Sequence, residues 1–587
     1  MSAEVARGAG AVVTAASAGV PDAAGANAGW DEARVSAETS RRPGRAWASR
    51  LASAALGGVL YFLGYVGFGA WPLIFVFLVP LWCALESVPV GRPGRGRSAR
   101  AVAALGFAFG LVAYAGGFAW LWKLVEVFLA GNLVLGGALW ALYGAWFAAG
   151  FALYAIAFAA IRRRGWPVAI AGTAPLVVLE WLQPMIFPVN AGSALIHTLP
   201  LVQIADLGGP LLLTAFVATV NVIAFETWSW WRDRRARPVR WWVGGATLVG
   251  AVLLYGFVRT REVEAWMRDA RELRVGIVQA NLGLMEKREQ GIVSHERHLE
   301  MTRELLAGGE LDLVVWPETA YVRGIRRPLP VSGRLVVRDL GVPLLFGGTS
   351  VEEEGGRRVA YNSTFLVGSD GMIRDAYDKN LPIPLAEYAP LGWLFPAIAG
   401  WLPHVQDFAA SSETPPLRLG PARIATPICY EVVRPDFVGR MVRASRPHVI
   451  VTIANDAWFG DSQEPWLHLH LARLRAIEHR RYLVRATNSG VSAIVEPTGR
   501  ISARTGVGAR ATLRASVRSL EGGTLYAAAG DWPGWLATLL VVATLCFDAS
   551  SRRRIASKPT ADVTPGAVRV SSRGRRGPRS TRWLYAK

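Results

Sequence analysis

The sequence predicts two kinds of structure: a multi-pass α-helical membrane domain and an α/β domain of the layered αββα type. Hydrophobic residues make up 52% of the 587 positions and charged residues only 18%, with a mean hydropathy of +0.27. This composition is too apolar for an ordinary soluble protein. Long apolar runs fill residues 51–258, whereas residues 272–520 carry short β-branched runs separated by helical and turn-rich stretches. The first region is therefore expected in a bilayer and the second outside it.

Eight apolar runs are long enough to cross a bilayer, which takes about 20 residues of helix. Seven of them predict a transmembrane domain over residues 51–261, and the eighth predicts a C-terminal transmembrane helix at 531–549. Only the Gly67–Gly69 neighbourhood separates the first two runs, and we favour a tight hairpin there over one long kinked helix. The runs are 51–68, 70–88, 101–127, 132–161, 166–186, 201–228, 241–258 and 532–548.

Arginines are clustered in every second connection between these runs. Because positively charged loops stay in the cytoplasm, the pattern predicts cytoplasmic termini and places residues 262–530 on the periplasmic face of a bacterial inner membrane. Lys123, next to Glu126, is the visible exception in the alternate connections. The clusters are Arg41, Arg42, Arg45 and Arg50; Arg92, Arg95, Arg97 and Arg100; Arg162, Arg163 and Arg164; Arg232, Arg234, Arg235, Arg237 and Arg240; and Arg552, Arg553 and Arg554.

The net charge of +20 gathers at the ends of apolar segments and in the tail, which argues against nucleic-acid binding by a folded surface. Residues 1–50, rich in Ala, Gly and Val, and residues 550–587, basic and rich in Ser and Pro, are predicted to be disordered cytoplasmic ends. Residues 1–30 lack the basic start and compact apolar run of a cleaved signal peptide. The first transmembrane helix is therefore expected to direct membrane insertion.

The region between the seventh and eighth runs has the pattern of an α/β domain. Its short β-branched runs are typical of strands buried on both faces, and helical stretches alternate with them. Residues 466–484 have helical spacing. The predicted strands are 273–281, 311–318, 343–350, 361–368, 422–431, 447–456 and 491–499.

Three predicted strand ends carry residues that can do chemistry, namely Glu318, Lys379 and Cys429. The other two cysteines, Cys83 and Cys546, lie inside apolar runs where a thiol behaves as a small hydrophobe. Together the three residue types fit acyl transfer: a carboxylate takes the thiol proton, the thiolate attacks, and an ammonium stabilises the oxyanion. The alternative is a core thiol, a helix-start carboxylate and a solvated lysine, and residue types alone do not decide between the two.

The sequence motifs around these three residues distinguish the two alternatives. The segments "PETA" around Glu318, "YDKN" and "EYAP" around Lys379 and Glu387, and "ICYE" around Cys429 resemble the Glu-Lys-Cys arrangement of the nitrilase superfamily. Within it, the segments 455–478 and 486–499, with a membrane-embedded front and one final transmembrane helix, resemble the apolipoprotein N-acyltransferase family. The resemblance covers roughly residues 51–548 and implies a nitrilase-like fold for the periplasmic domain.

The resemblance also implies a reaction and a set of roles. The family's cysteine takes an acyl chain from a membrane phospholipid as a thioester and passes it to the N-terminal diacylglyceryl-cysteine of a lipoprotein. Matched motif by motif, Cys429 is the nucleophile, Glu318 the general base and Lys379 the oxyanion stabiliser. Supporting roles fall to the second glutamate of the family pattern and to the two residues after the cysteine, which are Glu387, Tyr430 and Glu431.

The apolar loop 389–405, directly after Glu387, is suited to the membrane interface. We expect it to form a membrane-contacting lid, with packing of its aromatic side chains on the domain as the alternative. The residues expected to touch substrate or membrane are Trp393, Phe395 and Trp401 in this loop, and Trp458. One departure from the family pattern is Arg288, which stands where the family often has Trp.

No cofactor or metal is expected, and the chain is expected to act as a monomer. His468 and His470 are two positions apart on a predicted helix, point to different faces and make a poor metal pair. The sequence leaves two alternative functions: a membrane-tethered nitrilase-type amidase that hydrolyses a small amide, and a non-catalytic transporter or scaffold. Seven crossings are an excessive anchor for an amidase, and few charges lie inside the helices, whereas transport paths usually need them.

Overall fold

The computed structural model describes residues 43–89, 97–128, 132–283, 291–329, 331–384, 386–389 and 407–547. The N-terminal part is a bundle of apolar helices. They are α1 (Pro43–Gly64), a 3-10 turn (Trp71–Phe75), α2 (Leu78–Glu86), α3 (Arg97–Gly117), α4 (Leu121–Phe128), α5 (Leu133–Arg163), α6 (Val168–Leu182), a 3-10 helix (Ala191–His197), α7 (Leu199–Val202), α8 (Ala205–Asp233) and α9 (Val239–Asp269).

Five described helices have the length and hydropathy to cross a membrane. Three predicted runs instead form shorter apolar helices: Trp71–Glu86, Val168–Leu182 and Trp532–Cys546. Prolines at both ends explain why Val168–Leu182 (α6) is short. Pro167 precedes the helix, and Pro184 forces the residue before it out of the helical conformation. The five long segments are Gly44–Gly64, Ser98–Gly117, Leu133–Arg163, Ala205–Asp233 and Val239–Asp269.

The first two predicted runs form separate helices that pack against each other, as the hairpin prediction requires. The chain turns between Gly64 and Trp71, where Gly67 and Gly69 adopt positive φ values of 104° and 80°. Asn221 of α8 accepts a hydrogen bond from the backbone N–H of Leu78 at 2.9 Å. This buried contact fixes the start of α2 against the bundle.

Helix α8 is interrupted at its first turn, where Gly208 and Gly209 have non-helical backbone angles. Gly209 has φ of 63°, and a Cβ there would lie 2.4 Å from Cε2 of Tyr526. Only glycine fits both the backbone conformation and this contact. The interruption brings a membrane helix close to the segment that follows the α/β domain.

The α/β domain contains two sheets. The described strands of the first have the order β13-β1-β2-β4-β5-β6, with β3 also paired to β4; those of the second have the order β12-β11-β10-β9-β8-β7. Parallel pairs lie at the centre of each sheet, and antiparallel pairs lie outside them. The strands are β1 (Glu272–Gln279), β2 (Leu313–Val315), β3 (Tyr321–Arg326), β4 (Leu344–Glu354), β5 (Arg357–Val367), β6 (Ile373–Asp378), β7 (Leu417–Leu419), β8 (Ala422–Ala425), β9 (Val449–Ala454), β10 (Tyr482–Thr487), β11 (Ala493–Val495), β12 (Ile501–Arg504) and β13 (Ala511–Arg518).

Helices cover the outer sides of both sheets. Helix α10 packs on the first sheet, and α13 packs between the second sheet and the membrane helix α8. Almost every residue of α13 is buried because the helix contacts protein on both sides. The remaining helices are α10 (Gly291–Ala307), α11 (Arg334–Val337), α12 (Pro435–Ser445), α13 (Glu464–His479), α14 (Leu525–Ala529) and α15 (Trp532–Cys546).

Among the predicted element boundaries that were wrong, two lie next to the candidate site residues or the domain junction. The predicted helix 466–484 ends at His479, because Arg480 adopts the left-handed conformation with φ of 51°, and strand β10 begins at Tyr482. The predicted strand 422–431 ends at Ala425, and Cys429 instead begins a 3-10 helix that runs to Val433. The nucleophile candidate therefore lies on a turn and not on a strand.

A buried ionic contact joins the two domains. Arg480 is fully buried, and two of its nitrogens, Nη2 and Nε, lie 2.9 and 3.0 Å from Oδ2 of Asp206 in α8. Its Nη1 donates to Gln203 at 2.6 Å, and Arg259 of α9 donates to the same Asp206 oxygen at 2.7 Å. The end of α13 is thus held directly against the membrane helices.

Candidate active site

Cys429 lies at the first position of the 3-10 helix that follows β8. It is only 6% exposed and has φ of 50°, an uncommon conformation for a residue with a side chain. Glu431 holds this turn, because its carboxylate accepts hydrogen bonds from the backbone N–H groups of Ile428, Asn380 and Leu381 at 2.8, 2.6 and 3.0 Å. The strained conformation therefore rests on a fixed carboxylate two residues further on.

Glu318 and Lys379 come from the first sheet, following β2 and β6, and their side chains are 6% and 1% exposed. The backbone of Glu318 passes close to strand β4 at Gly347, where a Cβ would lie 2.6 Å from the Cα of Glu318. Since Cys429 follows a strand of the second sheet, the three predicted catalytic residues meet between the two sheets.

A lysine flanked by two carboxylates forms the charged centre of the site. Lys379 Nζ lies 2.8 Å from Oε2 of Glu387 and 3.4 Å from Oε1 of Glu318. Asn362 bridges the same two carboxylates, because its Nδ2 donates to Glu318 Oε1 at 2.7 Å and to Glu387 Oε1 at 2.8 Å. Burial alone would lower the pKa of Lys379, but the carboxylates of Glu387 and Glu318 raise it above its ordinary value, so the side chain carries a positive charge.

The thiol of Cys429 is protonated in this environment. Burial raises its pKa well above the ordinary value, and the negative charge of Glu318 raises it further, while the positive charge of Lys379 acts in the opposite direction. A thiolate at neutral pH therefore requires transfer of the proton to a base. Glu318 is a buried carboxylate in the same site and can take that proton.

The supporting residues have separate positions. The carboxylate of Glu431 also accepts a hydrogen bond from the hydroxyl of Tyr377 at 2.8 Å. Tyr430 lines the cavities beside Cys429, with its hydroxyl accepting a hydrogen bond from Arg434 at 3.1 Å and its ring edge-on to Phe187 at 6.0 Å. Glu431 therefore shapes the turn, whereas Tyr430 forms part of the wall next to the nucleophile.

Two neighbouring cavities lie at the junction of the α/β domain with the membrane helices. The smaller, of about 30 Å³, is lined by Cys429 and by aromatic and aliphatic side chains, including Phe118 and Trp120 of the membrane domain. The larger, of about 540 Å³, lies among α5, α6 and α8. Pro188, Val189 and Tyr430 line both cavities, so the larger one lies next to the cavity of Cys429.

The sequence assigns His468 no functional position, but the structure places it against Cys429, the nucleophile candidate. Its Nε2 lies 3.2 Å from the carbonyl oxygen of Cys429, and its Nδ1 lies 3.1 Å from Oδ1 of Asp456. His470 instead packs against His197, with ring centroids 4.9 Å apart, so the two histidines do face different neighbours.

The buried side chains of Asp456, Glu464 and His468 bring potential metal-ligating atoms within 4.8 Å of one another. The side chain of Arg485 is fully buried, and its Nη2 lies 2.6 Å from Oδ2 of Asp456. A guanidinium at this distance supplies the positive charge that the carboxylate requires. The donor set therefore fits an ion pair with arginine better than a cation site.

The aromatic residues predicted to touch substrate or membrane are only partly described. Trp393, Phe395 and Trp401 lie outside the described residues, as does Arg288. Trp458 lies on the 3-10 helix Asp456–Phe459 and is half-buried against the main core. Its predicted role stays a prediction. Asn362 and Glu464, which the sequence analysis missed, lie in the site, and no local motif marks either of them.

Two protein-family models match this chain. The Carbon-nitrogen hydrolase model matches residues 274–521, and the Apolipoprotein N-acyltransferase N-terminal domain model matches residues 57–223. A Geobacter metallireducens protein named apolipoprotein N-acyltransferase is 30% identical over 513 residues, which cover 84% of this chain and 94% of that protein. The chain belongs to the apolipoprotein N-acyltransferase family. A Rhodopseudomonas palustris protein of that name is also 30% identical, over 85% of this chain and 95% of its own length.

Among solved structures, Saccharomyces cerevisiae Nit3, a member of branch 10 of the nitrilase superfamily, is 15% identical with a TM-score of 0.34, covering 50% of this chain and 97% of that chain. Membership of the apolipoprotein N-acyltransferase family confirms the predicted fold class, a helical membrane domain followed by a nitrilase-like α/β domain. It also identifies the protein as a membrane acyltransferase. Glu318, Lys379 and Cys429 lie inside the matched hydrolase region.

Proposed function

We propose that this protein transfers an acyl chain from a membrane phospholipid to the N-terminal diacylglyceryl-cysteine of a lipoprotein, through a thioester on Cys429. The observation that carries the proposal is the position of Cys429. It shares a site with a buried carboxylate and a buried ammonium, yet its pocket is walled by membrane-domain side chains such as Phe118 and Trp120. A water-soluble substrate would not require a pocket wall built from membrane-domain side chains.

In the first half-reaction, Glu318 takes the proton of the Cys429 thiol and the sulfur attacks the ester carbonyl carbon of the phospholipid. Negative charge develops on the carbonyl oxygen, and the ammonium of Lys379 stabilises it in a water-poor site. The tetrahedral intermediate then expels the glycerol oxygen, which takes the proton back from Glu318. The products are a lysophospholipid and an acyl-thioester on Cys429.

In the second half-reaction, the neutral α-amino group of the lipoprotein attacks the thioester carbon. Glu318 takes one proton from the attacking nitrogen and delivers it to the departing sulfur of Cys429. An amide forms, the thioester breaks, and Glu318 and Cys429 return to their starting protonation states. Lys379 stabilises the oxyanion in both half-reactions.

The two cavities support a lipid donor. The larger cavity is lined mostly by apolar side chains of the membrane helices, among them Phe147, Phe151, Leu179 and Leu211. Its volume and apolar lining are those of a small-molecule site, and burial of an acyl chain there is favourable at about 0.8 kcal/mol for each CH2 group. Pro188, Val189 and Tyr430 line both this cavity and the one that holds Cys429, so we propose that a chain bound in the larger cavity presents its ester carbonyl to the sulfur.

The proposed orientation follows from charge. Arginine clusters in alternate connections favour cytoplasmic termini and a periplasmic catalytic domain in the bacterial inner membrane. The lipidated N-terminus of an exported acceptor lies on that same side. We propose that the chain acts as a monomer, that it needs no cofactor, and that nucleic acid is not a partner.

Mass spectrometry of the full chain in phospholipid micelles tests the proposal. The unmodified protein is expected to carry an acyl adduct on Cys429 that hydroxylamine removes, and Cys429→Ala is expected to carry none. Adding a diacylglyceryl lipopeptide with a free N-terminus is expected to discharge the adduct into the peptide. Hydrolysis of small amides without any adduct from phospholipid would instead support the amidase alternative, and inertness in both assays would support the scaffold.

A further inference from the structure

Glu464 is a buried acid for which the mechanism above has no use. It begins helix α13, is only 5% exposed, and lines the same small cavity as Cys429. Its Oε2 has no hydrogen-bond partner among the residues that the structure describes. Leaving such a group unpaired costs about 1–3 kcal/mol, so a native protein is expected to use it for a ligand.

The groups around Glu464 do not satisfy that oxygen. Nδ1 of His468 lies 3.6 Å from the other oxygen, Oε1, and is closer to Asp456, at 3.1 Å. Asp456 forms a salt bridge with Arg485. Burial and the negative charge of Asp456 raise the pKa of Glu464 well above its ordinary value, which favours the neutral form of the carboxyl.

The cavity around this carboxyl is small and otherwise mostly apolar. Its volume of about 30 Å³ leaves room for one or two water-sized groups. An acyl chain does not fit there, whereas a primary amine does. The remaining walls include Phe459, Leu467 and Leu471, which offer no hydrogen bonds from their side chains.

The second half-reaction needs a group in this position. The acceptor amine is an ammonium in water, since the α-amino pKa is near 8, and an ammonium has no lone pair for attack. Two protons must leave the nitrogen to form the amide. Glu318 carries one of them to the sulfur, so the other must be released to water before attack, and the resulting neutral amine must be held with its lone pair toward the thioester.

We propose that Glu464 binds the α-amino group of the acceptor, with its unpaired Oε2 accepting an N–H of the neutral amine beside the Cys429 thioester. This inference rests on the proposed function and adds the residue that receives the acceptor. An apolar pocket with a neutral carboxyl favours the uncharged amine over the ammonium, because desolvation penalises the charged form. The first proton therefore leaves as the amine enters, and the second follows the path through Glu318.

The test separates the two half-reactions in the full chain in phospholipid micelles. Formation of the acyl-enzyme is followed by intact mass, and its discharge is followed in a single turnover with a diacylglyceryl lipopeptide. For Glu464→Met we expect acyl-enzyme formation within about threefold of the unmodified protein and discharge slowed about 10- to 100-fold, the range expected for loss of one strong hydrogen bond. Glu464→Gln retains an accepting oxygen and is expected to discharge within about fivefold of normal.

Hydroxylamine provides a second readout, because this small nucleophile does not depend on the acceptor site. It should discharge the Glu464→Met thioester at the normal rate, and Glu310→Gln, an exposed substitution, should change neither step. If Glu464→Met aggregates, Glu464→Ala takes its place in the same assays.

Equal slowing of both half-reactions, or of hydroxylamine and lipopeptide alike, would show a structural role and overturn the inference. Normal discharge by Glu464→Met would also overturn it while leaving the proposed function intact. Absence of an acyl-enzyme in the unmodified protein would overturn the proposed function, and the inference with it.

Discussion

Lys379 Nζ lies 2.8 Å from Oε2 of Glu387, closer than the 3.4 Å that separates it from Oε1 of Glu318. Glu387 therefore takes most of the direct contact with the ammonium. The longer separation makes the ion pair of Glu318 with the lysine the weaker of the two. The two acidic residues around one lysine thus have different positions, with Glu387 in closer contact with the lysine and Glu318 proposed to accept the thiol proton.

Replacing Glu387 with Gln tests this division. Without the second carboxylate, Lys379 is expected to move closer to Glu318 and weaken it as a base, so the rate of acyl-enzyme formation should fall about 10- to 100-fold. Single-turnover labelling of Cys429 by phospholipid measures this rate. Glu413→Gln, on an exposed residue, is the control. An unchanged rate at saturating phospholipid would contradict the argument.

The pH dependence of Cys429 alkylation is a second prediction. Because burial and then Glu318 raise its pKa, the thiolate forms only at high pH, and the rate of reaction with iodoacetamide should still be rising above pH 9. Glu318→Gln removes one raising charge, so the profile should move to lower pH by roughly one unit. Peptide-resolved mass spectrometry separates Cys429 from Cys83 and Cys546. A plateau below pH 8 in the substrate-free protein would be inconsistent with the buried thiol.

Much of this site could be predicted from local sequence, and the reasons are visible residue by residue. Strands such as Val449–Ala454 are buried at every position, which produces an unbroken β-branched run. Glu318, Lys379 and Cys429 each stand in a short motif. Asn362 has no such signal, because its function depends on two carboxylates that lie 44 and 25 positions away in the chain. Only the folded sheet brings them together.

The wrong boundaries also have physical causes. Helical spacing continues past His479, but Arg480 leaves the helix in a left-handed conformation that sequence patterns assign to glycine or asparagine. Its guanidinium is drawn to Asp206, 274 positions away. Helical spacing relates His468 only to neighbours on its own helix such as His470, whereas its hydrogen-bond partners, Cys429 and Asp456, come from other segments.

Glu431 is predicted to contribute to the folding stability more than to the reaction itself. Glu431→Gln keeps the shape of the side chain but places an NH2 group against donors that the carboxylate now accepts, including the N–H groups of Ile428 and Asn380. We expect a loss of about 2–4 kcal/mol in the free energy of unfolding. Thermal unfolding in micelles measures it as a lower Tm. A variant with normal Tm and no activity would instead indicate a direct role in the reaction.

Arg480 is predicted to hold the catalytic domain on the membrane helices. Arg480→Met leaves Asp206 buried with Arg259 as its remaining cationic partner among the described residues, and breaking a buried pair in this way is expected to cost about 3–5 kcal/mol. Arg259→Met should cost less, since its side chain is 14% exposed and Arg480 remains.

Thermal unfolding and protease sensitivity of the full chain measure both effects. In the double variant Asp206→Asn with Arg480→Met, the two losses should not add, because the residues share one contact. Simple additivity would mean that the ion pair contributes little to holding the domains together.

The antiparallel pairing of β1 with β13 has a consequence for how this protein is assembled from its parts. Glu272, just after α9, lies opposite Arg518, which is followed by the segment leading to α15. The first and last strands of the catalytic domain therefore begin and end side by side, roughly 5 Å apart as in any antiparallel ladder. A complete globular unit can thus be inserted between two consecutive membrane helices without stretching the chain or moving the helices apart.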